Sequence, residues 1–231
     1  MSLTILRKNL TRQTHFAFAC NRCLSCCRHK KIQVNPYEIA RLARNRGLTT
    51  TQFAARYTHE GGTLLRWDED GTCVFLDAGG CSVHLDRPLV CRLYPLGRHL
   101  RSLGEESFSE IEPDPACKGA YRQDREISDY LREQGALPYM EAADRYLLLF
   151  LKLFLLLRGN AEEPAEREAI DGVLRQYSAG LPEENCFPMD VDYSVEDWCR
   201  ETGLPFPDNL EEKMSFHIMA VEAWVKKSKR R

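Results

Sequence analysis

No charge of either sign dominates this chain. Its 231 residues carry 32 basic and 34 acidic side chains, a net charge of -2. It therefore lacks the broad basic field with which nucleic-acid binders neutralise phosphates, and nucleic acid is not an expected partner. It also lacks a long apolar run. The greasiest segment, YLLLFLKLFLLL at 146–157, is broken by Lys152 and is shorter than the roughly 20 residues that cross a bilayer. It reads as a buried helix, apolar all round, and no membrane is expected. The opening stretch MSLTILRKNLTRQTHFAF has no apolar core followed by a small-residue cleavage site, so it does not read as a secretory leader and a cytoplasmic location is expected. No element is assigned to those first residues. No Gly/Ser- or Pro-rich linker and no internal repeat separates the parts of the chain, which can pack as one body.

Cysteine, by contrast, is abundant. Eight of the ten fall before residue 120, at Cys20, Cys23, Cys26, Cys27, Cys73, Cys81, Cys91 and Cys117, and two follow at Cys186 and Cys199. A chain of this length buries a full core without covalent staples. In a reducing compartment its thiols stay free unless something binds them, which favours metal coordination over a disulfide framework. The asymmetry predicts a mainly α fold with small β-hairpins: a cysteine-rich, metal-organised lobe over residues 1–120, packed on a helical region over 121–231. Cys186 and Cys199 read as packed or surface thiols.

Local signals place the cysteines on elements. Asn35, Pro36 and Glu38 form a capping box that starts a helix, and Gly47 stops it. A weaker helix follows over Thr51–Tyr57, ended by Gly61 and Gly62. TCVFL and CSVH read as two strands about an Asp-Ala-Gly-Gly turn, with the loop length deciding whether Cys73 and Cys81 share a face. Asp86 is expected to cap a short helix that carries Cys91, with Pro88 in its first turn, Pro95 at its end and Arg87 one turn before the cysteine. A further hairpin is expected between RHLRSL and SFSEIE about Gly104, then Cys117 in a loop. Helices are expected at 121–134, 138–158, 164–179 and 194–202, with a last one from Asp208 whose Glu211 completes a capping box.

Cys20, Cys23 and Cys26 keep the C-x2-C-x2-C spacing that supplies three corners of a [4Fe-4S] cluster in bacterial ferredoxins, where a remote cysteine gives the fourth. Zinc accepts the same soft ligands. Adjacent side chains diverge, so Cys26 and Cys27 are not expected to chelate one ion together, and eight cysteines suffice for two four-cysteine sites. A thioredoxin-like C-x-x-C lacks its strand-turn-helix context here. His29 and His84 are left out of the ligand set. Asp190, Asp192, Glu183 and Glu184 read as loop carboxylates and caps, because no base or nucleophile accompanies them, and no catalytic residue is assigned.

The pattern C-x2-C-x2-C-C at Cys20–Cys27, then C-V-F-L, G-C-S-V-H and R-P-x-x-C-R-x-Y-P at Cys73–Pro95, resembles the CxxCxxCC family of zinc- or iron-chelating cysteine-cluster proteins, the YkgJ-like group, over roughly residues 16–97. The resemblance implies ligand roles for Cys20, Cys23, Cys26, Cys27, Cys73, Cys81 and Cys91; Cys117 joins them on position. Arg87, Pro88, Arg92 and Pro95 match the family's arginine-proline segment. Three functions are compatible with this pattern. The first is a metalloprotein with an iron-sulfur cluster, in an electron-transfer, sensing or accessory role with a redox partner. The second is a structural-zinc module that recognises a protein partner. The third follows from members of the wider family named flagellin lysine-N-methylases, which implies S-adenosylmethionine. The chain has neither a Gly-rich cofactor loop nor the C-x3-C-x2-C spacing of radical enzymes.

Overall fold

The computed structural model describes residues 4–59, 62–100, 105–121, 125–159 and 190–228, and side chains there except over 151–159 and 225–228. The helix expected at 164–179, together with Gly61, Gly104, Glu183, Glu184 and Cys186, lies outside them. The architecture is mostly helical with small antiparallel sheets, as expected. The chain divides into two compact units, Met1–Ile32 with Trp67–Met140 and Gln33–Arg66 with Glu141–Arg231. All eight N-terminal cysteines belong to the first.

In the first unit the hairpin expected about Gly104 is present as β7, Leu96–Leu100, and β8, Glu106–Ile111. It gains a strand that the sequence did not announce: β1, Ile5–Leu10, pairs antiparallel with β8 to give the order β1-β8-β7. Ion pairs fasten this sheet. Glu106 receives Arg12 and Arg98 at 2.6 Å each, and buried Glu110 receives Arg7 at 2.5 Å and the Tyr121 hydroxyl at 2.6 Å. A two-stranded clasp, β2 (Phe18–Ala19) with β9 (Ala120–Tyr121), occupies the start of the helix expected at 121–134. Among the described residues of that span, Ile127–Glu133 is helical, as α4.

The hairpin of TCVFL and CSVH shrinks to β5, Leu76–Asp77, and β6, Gly80–Cys81. A turn closed by Leu76 N–H on the Cys73 carbonyl delays the start of the first strand to Leu76, so Cys73 bridges to Trp67 while Cys81 pairs with Leu76. Asp86 does not cap the next helix. It closes a 3-10 turn, His84–Asp86, and α3 (Leu89–Leu93) starts after Pro88 without a side-chain cap. The core of the unit joins Phe16, Phe18, Phe108, Ile127, Tyr130 and Leu131, all essentially buried, with Cys117 packed against its edge.

In the second unit, α1 (Pro36–Arg46) carries the predicted capping box, with Asn35 accepting from the Glu38 amide and Gly47 left-handed at φ 66°. Helix α2, Thr50–Tyr57, stops before the expected glycines, because Thr58 turns extended and begins β3 (Thr58–His59), which pairs with β4 (Leu64–Leu65). Helix α5, Leu137–Gly159, matches the expected 138–158. It is not buried all round: Tyr146 is buried, but Leu147 and Leu148 are 52% and 67% exposed. Asp190 caps α6 (Val191–Thr202), accepting from the Tyr193 amide and from the hydroxyls of Thr50 and Thr51. Asp192 accepts from the Thr50 amide and pairs with Lys213, both at 2.8 Å. Both carboxylates are thus committed to holding elements together. Helix α7, Leu210–Ser228, is capped one residue later than expected, by Asn209 with Glu212 in place of Asp208 with Glu211. Cys199 is buried, and its burial raises the thiol.

Candidate metal centre

The motif loop runs between β2 and a 3-10 turn at Ser25–Cys27. Two of its non-glycine residues, Arg22 and Leu24, are left-handed at φ 52° and 67°, and His29 follows at 54°. Such a backbone is disfavoured by about 1 kcal/mol or more per L-residue, so the surrounding contacts must hold it. Alternating backbone handedness turns successive amides towards one concavity, an arrangement that recurs around anions and iron-sulfur centres. Here the amides meet sulfur. Arg22 N–H lies 3.4 Å from Cys20 Sγ, and Cys23 Sγ accepts from the Lys118 amide at 3.2 Å and from the Ser25 amide. The Gly119 amide reaches Cys117 Sγ at 3.3 Å, and the Phe75 amide donates to Cys73. Four of these donors stand two residues after the cysteine they serve.

The clasp of β2 and β9 brings Cys117 to the motif. Phe18 pairs with Tyr121 and Ala19 with Ala120, the Asn21 amide group holds the Lys118 carbonyl at 2.7 Å, and Cys23 Sγ and Cys117 Sγ stand 4.0 Å apart. The Cys117 loop is fixed by its own turn, Cys117 N–H to the Asp114 carbonyl, and by the Tyr94 hydroxyl, which accepts from the Asp114 amide at 2.7 Å. On the other side of the motif the chain leaves Cys27 extended and pairs with residues 71–73. Cys73 N–H bonds the Cys27 carbonyl at 2.9 Å, and Arg28 bridges to Thr72.

Electrostatics link the remaining thiols. Burial alone would raise Cys23, but hydrogen bonds from the Ser25 hydroxyl, the Lys118 and Ser25 amides and Cys117 outweigh it and bring the thiol down to about 7. Cys26 and Cys27 are neighbours in the tight 3-10 turn, and the interaction of their two thiols is the largest influence on each, lowering Cys26 and raising Cys27. Burial and the charges of Cys26, Cys91 and Cys81 hold Cys27 up further. Burial likewise raises Cys73 and Cys117, each partly offset by its amide donor.

All nine cysteines among the described residues are free thiols. Among those residues no three Cys, His, Asp or Glu side chains converge on a single ion position, while Cys23 and Cys117 approach each other as a pair. The donor chemistry nonetheless fits a soft transition metal, with thiols free and hydrogen-bond donors already aimed at them.

Two arginines that the sequence singled out have separate roles. Arg92, 5% exposed, donates to the carbonyls of Arg87, Gln134 and Leu85 and to the Tyr139 hydroxyl, and lies over the Tyr139 ring at 3.9 Å. Arg87 holds the His84 carbonyl at 2.7 Å and Gln134 at 2.7 Å, and its charge interacts with Cys91 and Cys20. His84 is brought down to about 4 by burial and by Arg87, Arg22 and Arg92, so it is neutral at pH 7. The His29 ring lies against Gly71, where a Cβ would meet its Nδ1 at 2.5 Å.

Among the described residues no helix is long and apolar enough to cross a membrane. Residues 19–118 match the CxxCxxCC family, whose description is "Putative zinc- or iron-chelating domain". No curated protein and no solved structure matches the chain. The matched stretch begins one residue before Cys20 and ends one after Cys117, so it encloses all eight N-terminal cysteines.

Proposed function

We propose that residues 19–118, as a CxxCxxCC domain, chelate iron in the form of a thiolate-ligated iron-sulfur cluster, and that the protein passes electrons to, or senses redox state for, a protein partner. The observation that carries this reading is the set of amides aimed at sulfur around C-x2-C-x2-C: Arg22 on Cys20, Lys118 and Ser25 on Cys23, and Gly119 on Cys117. Hydrogen bonds to cluster sulfurs are among the means by which proteins set a cluster's potential. Cys20, Cys23 and Cys26 would hold three corners, with Cys117 as the remote fourth. When bound, the cluster supplies one-electron chemistry. The chain's own residues fix the thiols, neutralise part of their charge and, through the Phe16–Phe18–Tyr130 core, back the site with apolar rings.

A second reading, structural zinc, is favoured by one distance. Two thiolates about 2.3 Å from one tetrahedral ion stand about 3.8 Å apart, and Cys23 and Cys117 are separated by 4.0 Å. Under this reading metal binding adds folding free energy to the unit, on the order of 10 kcal/mol for a structural site.

Purification without oxygen, followed by iron, zinc and acid-labile sulfide analysis with the visible spectrum, separates the two. Iron with matching sulfide supports the cluster. Stoichiometric zinc without iron supports the second reading. Neither metal, after reconstitution with each, overturns both.

A further inference from the structure

The backbone sorts the eight cysteines into two groups, and the division falls between neighbours in the sequence. Cys20, Cys23 and Cys117 are laced together by the β2–β9 clasp, by the Asn21 side chain on the Lys118 carbonyl and by the 4.0 Å sulfur contact. Cys26 is one short turn beyond Cys23. At Cys27 the chain changes direction: its N–H closes the 3-10 turn on the Leu24 carbonyl, Arg28 is extended at φ -118° and ψ 141°, and His29 N–H bonds the Gly71 carbonyl at 2.7 Å. That antiparallel run sets Cys27 beside Cys73, backbone to backbone at 2.9 Å. The turn at Cys73–Leu76 and the pairing of Leu76 with Cys81 then double the chain back on itself, and a Cβ added at Gly80, at the hairpin tip, would stand 3.9 Å from the Leu24 methyl groups.

We propose that the domain holds two four-sulfur centres side by side, one built by Cys20, Cys23, Cys26 and Cys117 and the other by Cys27, Cys73, Cys81 and Cys91. Four thiolates complete a tetrahedral zinc site or the ligand set of one cluster, so neither group needs a further donor. Apart from Cys26, the thiol–thiol charge neighbours follow the same grouping. Cys81 and Cys91 act on Cys27, and Cys81 acts on Cys73; Cys23 acts on Cys26 and on Cys117. The two groups meet at Cys26, whose thiol influences its neighbour Cys27 and acts on Cys73 as well as on Cys117. Arg87, whose charge interacts with Cys91 of one group and Cys20 of the other, offsets thiolate charge in both.

This division rests on the chelation reading above, and zinc tests it whichever metal the cell supplies. Full-length chain, reduced and loaded with zinc, is weighed intact by native mass spectrometry. Two zinc ions are expected in the wild type, one in Cys20→Ser/Cys117→Ser, one in Cys81→Ser/Cys91→Ser, and none in the quadruple variant. A wild type that holds one ion, or a pair variant that loses both, overturns the division in favour of a single shared centre. A wild type that binds neither zinc nor iron overturns the chelation reading with it. Iodoacetamide footprinting covers a variant that folds poorly. In zinc-loaded Cys20→Ser/Cys117→Ser, Cys27 and Cys73 stay protected while Cys23 and Cys26 react, and the other pair variant gives the mirror pattern. Protection that crosses the groups counts against the proposal.

Discussion

Cys23 and Cys27 stand four residues apart on one short loop, yet their environments push them in opposite directions. Cys23 is brought down to about 7 by donors on its sulfur, whereas Cys27 is raised by the adjacent Cys26 thiol, by burial and by neighbouring thiolates. The thiolate is the nucleophile, so the lowered Cys23 is the more reactive of the two near neutral pH. In metal-free protein, iodoacetamide should label Cys23 well before Cys27, with a rate that rises through pH 7. Removing the Ser25 hydroxyl from the charged form, with Ser25→Ala, moves that midpoint upward. Mass spectrometry of the labelled peptides against pH checks this, and equal labelling of Cys23 and Cys27 would count against it. Arg92 poses a different question. Its planar fork satisfies three carbonyls and a phenol at once, a geometry that an ammonium does not reproduce. Arg92→Lys leaves buried acceptors unmet and is expected to destabilise the metal-free protein by about 2–4 kcal/mol. Denaturant unfolding gives the number, and a loss below about 0.5 kcal/mol would show that Lys serves as well. The arginine shared with the family pattern thus has a structural task, separate from that of Arg87 beside the thiols.

Elements that were legible in the sequence are those whose signals lie within a few residues. Asn35, Glu38 and Gly47 write the whole of α1 in thirteen residues, and the triplet Cys20, Cys23, Cys26 marks by spacing alone the loop where backbone amides meet sulfur. What was not legible depends on distant partners or on backbone handedness. Strand β1 exists because β8 lies beside it, a hundred residues later, and β2 and β9 are too short to show a pattern on their own. The left-handed residues Arg22 and Leu24 carry no glycine to mark them, so the amide cradle could not be read from residue types. The β2–β9 clasp makes its own prediction through Gly119. A Cβ there would stand 2.3 Å from the buried Phe18 ring, and the same residue donates to Cys117. Gly119→Ala must shift either the core ring or the Cys117 loop, at a cost of about 1–3 kcal/mol. Its melting temperature should fall, and Cys117 should become easier to alkylate in the metal-loaded protein. An unchanged melting temperature and unchanged Cys117 protection would mean that the clasp yields without strain.

At the scale of the whole chain, the cysteines alone do not define what folds around them. A boundary near residue 120 follows naturally from their positions, since Cys117 is the last of the eight. The apolar core behind the site extends further: of its eleven buried residues, Ile127, Tyr130, Leu131, Ala136 and Met140 come after residue 120. So does Gln134, which takes Arg87 on its side chain and Arg92 on its carbonyl. The Tyr130 hydroxyl, through the Tyr94 carbonyl at 2.6 Å, supports the residue that fixes the Cys117 loop. A fragment of residues 1–120 keeps every candidate ligand but loses nearly half of that core. Burial of one large apolar side chain contributes about 1.5–3 kcal/mol, and total stabilities are about 5–15 kcal/mol, so the loss is comparable to all the stability available. The fragment is expected to be unfolded without metal, with poorly dispersed amide resonances, and to bind zinc with at least tenfold lower affinity than the full chain, because folding must then be driven by the metal alone. Amide spectra and zinc competition titrations on both chains provide the comparison. A fragment with native-like dispersion and undiminished zinc affinity would show that the thiols and the small sheets suffice, and that the helices after residue 120 only cover a centre that assembles without them.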